Sequence, residues 1–348
     1  MVETSKVTIY EVAAEAGVSI STVSKVLSSN SRVNGPTREK VLKAVKQLNY
    51  VPSLAARAIA SGRTSIIGLL SPYTPAQLLV DPHLQGNICG IEEILNEYDY
   101  ALLIATASRE HEPATSYQRL LRSRYIDGAV VMETQESKLP DLHRQLSLQR
   151  YPWVVLGYPV GMVPCYCVHA DDLQGAQSMT EYLISLGHRR IGMIRVKDSA
   201  YASEERVRGY RQMLNHKGLV FDETLLVNCN DWSIEAAYRV APLLFKRPDR
   251  PTAIFAVNDR LAFGLIQWAR EHGLRVPEDV SVVGFDDIPA AKNNYPALTT
   301  VRQPSVAMGH EAIKLLFKLL EGGTTSSRIV VGIELVVRAS SGPPPPKV

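Results

Sequence analysis

The first fifty residues place apolar side chains at helical spacing in three short runs. The first run follows Thr8 and Glu11, a capping-box pair, and ends at Gly17, which permits the positive φ of a sharp turn. Ser19 is suited to cap the second run, and a third run follows. Three short helices, two of them joined by a glycine turn, predict a helix-turn-helix domain over residues 1–50.

Beyond this head, strand-like and helix-like segments alternate. Apolar runs typical of buried strands lie at 66–70, 101–106, 128–132, 153–157, 190–196, 253–257 and 280–285. Amphipathic stretches typical of helices lie at about 84–98, 112–124, 172–186, 204–217, 233–246 and 259–272. The alternation predicts parallel sheets with helices on both faces, and the number of units predicts two similar lobes.

A short segment separates the two patterns. Pro52 ends the third run, Ser53 can cap a new helix, and "LAARAIA" has good helix propensity. A helix of about two turns is unstable alone in water. We therefore expect the segment 51–63 to fold only when something packs against it.

Charge distinguishes the head from the rest of the chain. Residues 1–63 hold nine Lys and Arg against four acidic residues, a net charge of +5 that leaves −2 for the remaining residues. Overall composition, with 45% apolar and 21% charged residues, is ordinary for a globular protein. A basic head on a nearly neutral body is typical of proteins that bind a polyanion, although a solvated lysine face would give the same count.

Several classes of protein are disfavoured. No apolar run approaches the roughly 20 residues that span a bilayer, and the N-terminus lacks the apolar segment of a signal peptide, so a cytoplasmic location without membrane contact is expected. The cysteines Cys89, Cys165, Cys167 and Cys229 form no pattern of spaced pairs. They are expected to be buried thiols, and neither a metal site nor a cofactor is predicted.

The stretches "TIYEVAAEAGVSISTVSKVLS" and "TREKVLKAVKQLNYVP" resemble the DNA-binding head of the LacI/GalR family of bacterial transcription regulators. The resemblance extends over almost the whole chain. It implies a dimer that binds a pseudo-palindromic operator in duplex DNA, as a repressor, under the control of a small molecule. The appended coiled coil of some relatives is not expected here, since "SGPPPPKV" cannot form a helix.

The resemblance assigns DNA contacts to the head and to a hinge helix at 51–63. Base contacts are implied for Ile20, Ser21 and Lys25 in the second helix, whose side chains would lie in the major groove. Phosphate contacts, which position the protein without reading sequence, are expected for Thr8, Ser19, Thr22, Ser24, Asn34 and Tyr50. In the hinge helix, Ala56 would allow close approach and Ile59 would insert into the minor groove.

For residues 64–341 the resemblance implies a periplasmic-binding-protein-like core that binds the effector and forms the dimer. Its first lobe would comprise about 64–165 and 300–328, its second about 166–297 and 329–341, with a disordered tail at 342–348. The chain would cross between lobes near 160–170, 296–303 and 325–332.

Ligands of open α/β sheets bind at the carboxyl ends of the strands. The resemblance places three polar ligand-facing residues there, Arg206, Asn258 and Asp286, with Trp232 as a flat apolar wall. Weaker candidates from the first lobe are Tyr73, Glu133 and Tyr158. Arginine, asparagine and aspartate pair with hydroxyl groups and an aromatic face covers a sugar ring, so a sugar or sugar derivative is the expected effector.

Other polar motifs are expected to be structural. One of Asp171 and Asp172 is expected to cap a helix, and Asp287 is expected to have a structural role. His188 is expected to lie near a helix end and to have no catalytic role. The segment "GNICG" at 86–90 lacks the lysine of a phosphate loop and is expected to pack against the sheet or a second subunit.

The leading hypothesis is therefore a DNA-binding regulator and not an enzyme. A regulator that senses a purine-like co-repressor remains an alternative, because purine-sensing relatives share the scaffold. A sugar-binding transport receptor is disfavoured by the intact head. A glycosidase is disfavoured because adjacent aspartates on extended backbone diverge instead of converging on one bond.

Overall fold

The computed structural model describes residues 7–27, 33–50, 62–106, 120–121, 125–132, 142, 146, 151–158, 165–196, 201–323 and 326–346. Its contacts divide into two compact units, one with the N-terminal helices and one with the sheets. None of the described helices is both long and apolar enough to cross a bilayer.

The N-terminal unit contains the three predicted helices, α1 (Ile9–Ala16), α2 (Ile20–Leu27) and α3 (Gly35–Gln47). The amide of Thr8 donates to Glu11 Oε2 at 2.7 Å, and Gly17 adopts a φ of +65° between α1 and α2. The apolar faces meet in a small core, which consists of Val12, Ala13, Ala16, Val23, Val26, Val41, Ala44 and Tyr50. The sequence therefore predicts this unit well, because its helices are amphipathic and its turn is local.

The larger sheet belongs to the first lobe. Its strand order is β11–β5–β4–β3–β1–β2, and β1, β3, β4, β5 and β11 pair in parallel. The bounds are β1 (Ile66–Leu70), β2 (Ala101–Ala105), β3 (Gly128–Met132), β4 (Trp153–Leu156), β5 (Tyr166–Ala170) and β11 (Arg328–Val331).

The second lobe contains a four-stranded parallel sheet and a small antiparallel pair. The order in the first is β7–β6–β8–β9, and in the second β10 pairs with β12. The bounds are β6 (Ile191–Val196), β7 (Leu226–Cys229), β8 (Ala253–Ala256), β9 (Ser281–Val283), β10 (Thr300–Arg302) and β12 (Glu334–Val336).

Helices flank the sheets of both lobes, each of which has its own apolar core. In the first lobe they are α4 (Pro75–Val80), α5 (Pro82–Glu97) and α12 (Ser305–Leu320). In the second lobe they are α6 (Asp172–Ser185), α7 (Tyr201–His216), α8 (Ile234–Val240), α9 (Pro242–Phe245), α10 (Asp259–Glu271) and α11 (Ala290–Asn293). The two doubly wound lobes of the expected fold class are thus present.

The predicted lobe boundaries need correction. Strand β5 lies in the first-lobe sheet, so the first crossing follows Ala170 instead of residue 165. Likewise β11 pairs with β5, and β10 pairs with β12, so the other crossings fall at 303–304 and 332–333. Strand pairing between distant segments sets these boundaries, and periodicity within one segment does not report it.

Three parts of the sequence prediction lie outside the described residues or differ from the structure. The hinge residues 51–61, with Ala56 and Ile59, and most of the helix predicted at 112–124 lie outside the described residues. The tail prediction is wrong at Gly342, whose amide donates to Ser281 Oγ and whose carbonyl accepts from His188 Nε2 at 2.9 Å. The long helix α12 was not among the predicted elements.

The "GNICG" segment packs against α12, a contact that the sequence did not predict, and its Ile88 also packs against the first-lobe core. Contact of this segment with a second subunit stays a prediction. A Cβ at Gly90 would lie 2.0 Å from the carbonyl oxygen of Val306, and one at Gly309 would lie 2.4 Å from that of Asn87. The glycines therefore allow the backbones of α5 and α12 to touch. Cys89 is exposed, so the expectation of a buried thiol was wrong for this residue.

We expect Gly90→Ala to destabilise the protein by about 1–3 kcal/mol, because its new methyl group overlaps backbone that cannot rotate away. The gain in helix propensity, at most about 1 kcal/mol, is too small to offset this overlap. Gly332→Ala is the control, since a Cβ there meets nothing within 4 Å. Denaturant unfolding measures both, and equal midpoints would contradict the close crossing.

Candidate functional site

The second helix of the head presents a polar and partly exposed face. Ile20, Ser21 and Lys25 are exposed, while Val23 and Val26 of the same helix are buried in the core. The Ser19 hydroxyl caps α2 by accepting from the amide of Thr22 at 3.2 Å. The three residues implied to read bases are therefore on the side of α2 that faces away from the core.

The residues implied to contact phosphate have mixed surroundings. Thr8, Ser19 and Asn34 are exposed, and Thr22 and Ser24 are half-buried. Asn34 caps α3 by accepting from the amide of Thr37 at 3.1 Å, which leaves its amide nitrogen for another contact. Tyr50 is only 8% exposed and packs in the core, so its ring is structural.

A cavity of about 110 Å³ lies between the two lobes, at the carboxyl ends of their strands. Both lobes line it, with Tyr73, Asp81, His83, Asn87, Met132, Tyr158, His169 and Met308 from the first, and Asp172, Ala202, Arg206, Trp232, Asn258 and Asp286 from the second. Of the seven predicted effector residues, six line this cavity, and Glu133 lies outside the described residues.

Arg206 forms the centre of the second-lobe wall. It is 4% exposed, and its Nε donates to Asp172 Oδ1 at 2.7 Å. Its Nη1 donates to the carbonyl of Val257 and lies 3.6 Å from Asp286 Oδ1, while the guanidinium stacks on Phe285. Burial disfavours the charge, but Asp172 and Asp286 outweigh burial and raise the pKa of Arg206.

Asp286 differs from an ordinary surface carboxylate in its conformation and its titration. Its φ of +119° is rare for any residue with a side chain. Burial raises its pKa to about 6, against the opposing effect of Arg206. Gln303 Nε2 donates to Asp286 Oδ1 at 2.6 Å and links the site to the crossing segment at 303–304.

Two further predicted residues have a structural role in addition to lining the cavity. Asn258 caps α10, since its Oδ1 accepts from the amide of Leu261 at 2.8 Å. Trp232 is half-buried and packs on the second-lobe core as well as facing the cavity. Both therefore hold fixed positions before any ligand binds.

The first-lobe wall contains a stacked aromatic pair. The rings of Tyr158 and His169 stack at 4.1 Å between centroids, and the Tyr158 hydroxyl donates to the carbonyl of Ala170 at 3.2 Å. Arg328 Nε donates to His169 Nε2 at 2.6 Å, and His169 Nδ1 donates to Ala170 O at 2.7 Å. Burial lowers the pKa of His169, so this ring is neutral at pH 7.

The structure resolves the roles of the neighbouring aspartates. Asp171 caps α6 by accepting from the amide of Gln174, whereas Asp172 is the buried partner of Arg206. Asp287 pairs with Arg302 and Arg338, each at 2.7 Å, as its expected structural role requires.

The cavity is also lined by residues that were not predicted from the sequence, namely Asp172, His83, Asn87, His169 and Gln303. Asn87 lies within the "GNICG" segment, for which only a packing role was predicted. His188, as expected, is structural: its Nδ1 lies 2.8 Å from Thr252 Oγ1. Within the described ranges, no cluster of three or more histidine, cysteine or acidic side chains is arranged to hold a metal ion.

Comparisons with known proteins cover both units. A model of the lacI family of bacterial regulatory proteins matches residues 8–53, and one of a periplasmic binding protein-like domain matches 180–341. The HTH-type transcriptional regulator DegA of Bacillus subtilis (strain 168) is 33% identical over 97% of this chain and 99% of its own length.

Two solved structures show the same architecture. The complex of the transcriptional regulator CelR with cellobiose has a TM-score of 0.73 and 32% identity, covering 96% of this chain and 99% of its own. The lac repressor dimer bound to operator and the anti-inducer ONPF has a TM-score of 0.84 and 25% identity, covering 97% of this chain and 100% of its own.

We expect Asp172→Ala to destabilise the protein by about 3–5 kcal/mol, because it leaves the buried Arg206 charge without its nearest partner. Glu223→Ala is the matched control, since it breaks an ion pair with Arg211 in which Glu223 is 77% exposed and which contributes less than about 1 kcal/mol. Denaturant unfolding of both variants at pH 7.5 measures the difference. Similar losses of unfolding free energy in the two variants would show that the buried Asp172–Arg206 pair contributes no more to stability than an exposed one.

Proposed function

Because the chain belongs to the lacI family of bacterial regulatory proteins, it is a DNA-binding transcription regulator with a small-molecule effector, and we propose that it represses transcription as a dimer on a pseudo-palindromic operator. The family is one of regulators and not of enzymes. Operator DNA lies in the bacterial cytoplasm, which is the location we propose for the protein.

For the DNA contacts, the exposed face of α2 supports insertion of that helix into the major groove. Lys25 can donate to guanine O6 and N7, Ser21 can bond several bases, and Ile20 can contact a thymine methyl group. The exposed Thr8, Ser19 and Asn34, with the half-buried Thr22 and Ser24, are suited to phosphate contacts. A further contact is proposed for the hydroxyl of Tyr50, although its ring is buried in the core. The basic charge of the head supplies the sequence-independent part of the affinity.

For the hinge, we propose that residues 51–63 fold as a helix in the dimer on DNA. Ile59 would then unstack a base step in the minor groove, and Ala56 would let the paired helices approach closely. Neither residue lies within the described part of the chain, so the support comes from the sequence and the family alone.

For the effector, we propose a sugar or sugar derivative bound in the cavity between the lobes. One observation supports this above the others: Arg206, Asn258 and Asp286 line the same cavity as the flat side chain of Trp232. Such a set can bond ring hydroxyls while an aromatic face covers the C–H surface. The related CelR was solved with cellobiose, which is a sugar of this kind.

The control mechanism follows from where the cavity lies. A ligand that contacts both lobes favours one relative arrangement of them, and it shifts the populations of the two arrangements by its differential affinity. Since affinity for DNA depends on the spacing of the two heads in the dimer, effector and operator binding are coupled and the coupling is reciprocal.

We expect Lys25→Ala to reduce discrimination between the preferred operator and a variant at one base pair by about 1–3 kcal/mol. A fluorescence anisotropy titration at fixed salt, on an operator selected from random duplexes, measures it. Lys318→Ala, an exposed lysine of α12, is the control and should leave discrimination unchanged. Unaltered discrimination in the Lys25 variant, or full specific binding after deletion of residues 1–63, would contradict the proposed interface.

Effector affinity should fall about tenfold between pH 7.5 and pH 5, because the ionised Asp286 carboxylate accepts a hydrogen bond from a ligand hydroxyl more strongly than the neutral acid does, and its pKa is about 6. The loss of affinity occurs as the pH falls through 6, which is well above the pH at which an ordinary aspartate side chain takes up a proton. Calorimetric titrations across this range, with circular dichroism to confirm the fold at each pH, provide the measurement. A constant affinity down to pH 4.5 would exclude Asp286 as an ionised acceptor.

A further inference from the structure

Asn87 places a buried amide in the wall of the cavity. The residue is 2% exposed, and its Oδ1 accepts no hydrogen bond from any residue in the described part of the chain. It is the one buried side-chain oxygen or nitrogen among the described residues in this condition. An unpaired buried acceptor costs free energy, so native folds seldom keep one without a use.

The orientation of this amide is fixed by a chain of hydrogen bonds. The Nδ2 of Asn87 donates to His83 Nε2 at 3.3 Å, and His83 Nδ1 lies 2.8 Å from Ser305 Oγ. Because His83 Nε2 accepts, the proton is on Nδ1 and is donated to Ser305. This series of hydrogen bonds connects α5 to α12, the two helices whose backbones touch at Gly90. It therefore holds the Oδ1 of Asn87 in place.

The charges that line the cavity disfavour an anion. The described lining residues include three carboxylates, those of Asp81, Asp172 and Asp286, and one guanidinium, that of Arg206. Arg206 already donates to Asp172 and to the carbonyl of Val257. Asp81 has a partner in Arg260 at 3.6 Å, across the two lobes. A phosphorylated ligand would thus meet more negative than positive charge.

We propose that the cavity binds a neutral, hydroxyl-rich ligand, one of whose hydroxyl groups donates to Asn87 Oδ1. This inference rests on the proposed role of the cavity as the effector site and adds its ligand class and a first-lobe specificity residue. The ligand then bridges Asn87 on α5 and Asp286 after β9. A molecule that satisfies both lobes at once stabilises their closed arrangement, as control by an effector requires.

The test uses full-length protein and isothermal titration calorimetry. The neutral probes are cellobiose, D-ribose and D-glucose, and the anionic probes are D-ribose 5-phosphate and D-glucose 6-phosphate, with hypoxanthine as a purine. We expect at least one neutral sugar to bind, and its phosphate ester, where the panel has one, to bind about tenfold more weakly or not at all. Tighter binding of a phosphate ester or of hypoxanthine, or binding of no neutral sugar, would overturn the ligand class.

Two variants test the residue itself. Asn87→Leu, which preserves volume, and Asn87→Ala, which serves if the leucine variant fails to fold, should each weaken the neutral sugar about tenfold. Asn96→Leu makes the same change on the exposed face of α5 and should leave affinity unchanged. Wild-type affinity in the Asn87 variants would overturn the proposed contact.

Failure of this inference can be separated from failure of the proposed regulator. The same protein preparations are offered a pool of random duplex DNA at low salt. Operator binding without any affinity for neutral sugars removes the ligand inference and leaves the regulator standing. Sugar binding that depends on Asn87, without DNA binding, supports the ligand inference and removes the proposed regulator.

Discussion

A buried guanidinium keeps its charge and is costly without hydrogen-bonded carboxylate partners, and the second lobe is organised around this constraint. Arg206 lies on α7, its main partner Asp172 begins α6, and Asp286 follows β9. Three separate elements therefore converge on one charge. Their convergence also fixes the cavity wall, because the same three side chains line it. Without this ion cluster, the carboxyl ends of the strands would have no common polar centre.

The crossing segments make the site sensitive to the arrangement of the lobes. Asp171 caps α6 directly after the first crossing, and Gln303 at the second crossing donates to Asp286. A ligand that competes for Asp286 therefore acts on a bond to a segment that connects the lobes. The related lac repressor was solved with both operator and an anti-inducer, so one family member accommodates both at once. The hydrogen bonds of Asp171 and Gln303 are therefore sufficient to connect the cavity with the segments that join the lobes.

Local patterns predicted local structure, and distant pairings escaped them. The bounds of β1 and β3 agree with the sequence prediction to the residue, because their apolar runs are continuous and end at polar positions. The lobe boundary near β5 was wrong because sheet membership depends on pairing with β11, over 150 residues away. Arg206, Asn258 and Asp286 were identified through a family resemblance. The Asp172 partner and the unpaired Asn87 oxygen were missed, since hydrogen-bond satisfaction depends on the assembled fold.

The backbone of Asp286 adopts a strained conformation that places its carboxylate in the cavity wall. A φ of +119° is unfavourable for a residue with a Cβ, so the surrounding structure must impose it. The amide of Asp286 donates to the carbonyl of Val301 in β10, and its carbonyl accepts from the amide of Gln303 just after β10, so this segment holds the conformation from both sides. In this conformation the carboxylate lies 3.6 Å from Arg206 and lines the cavity, and burial raises its pKa to about 6. Strain in the backbone and desolvation of the carboxylate therefore occur in the same residue, the one that we propose to accept a hydrogen bond from the effector.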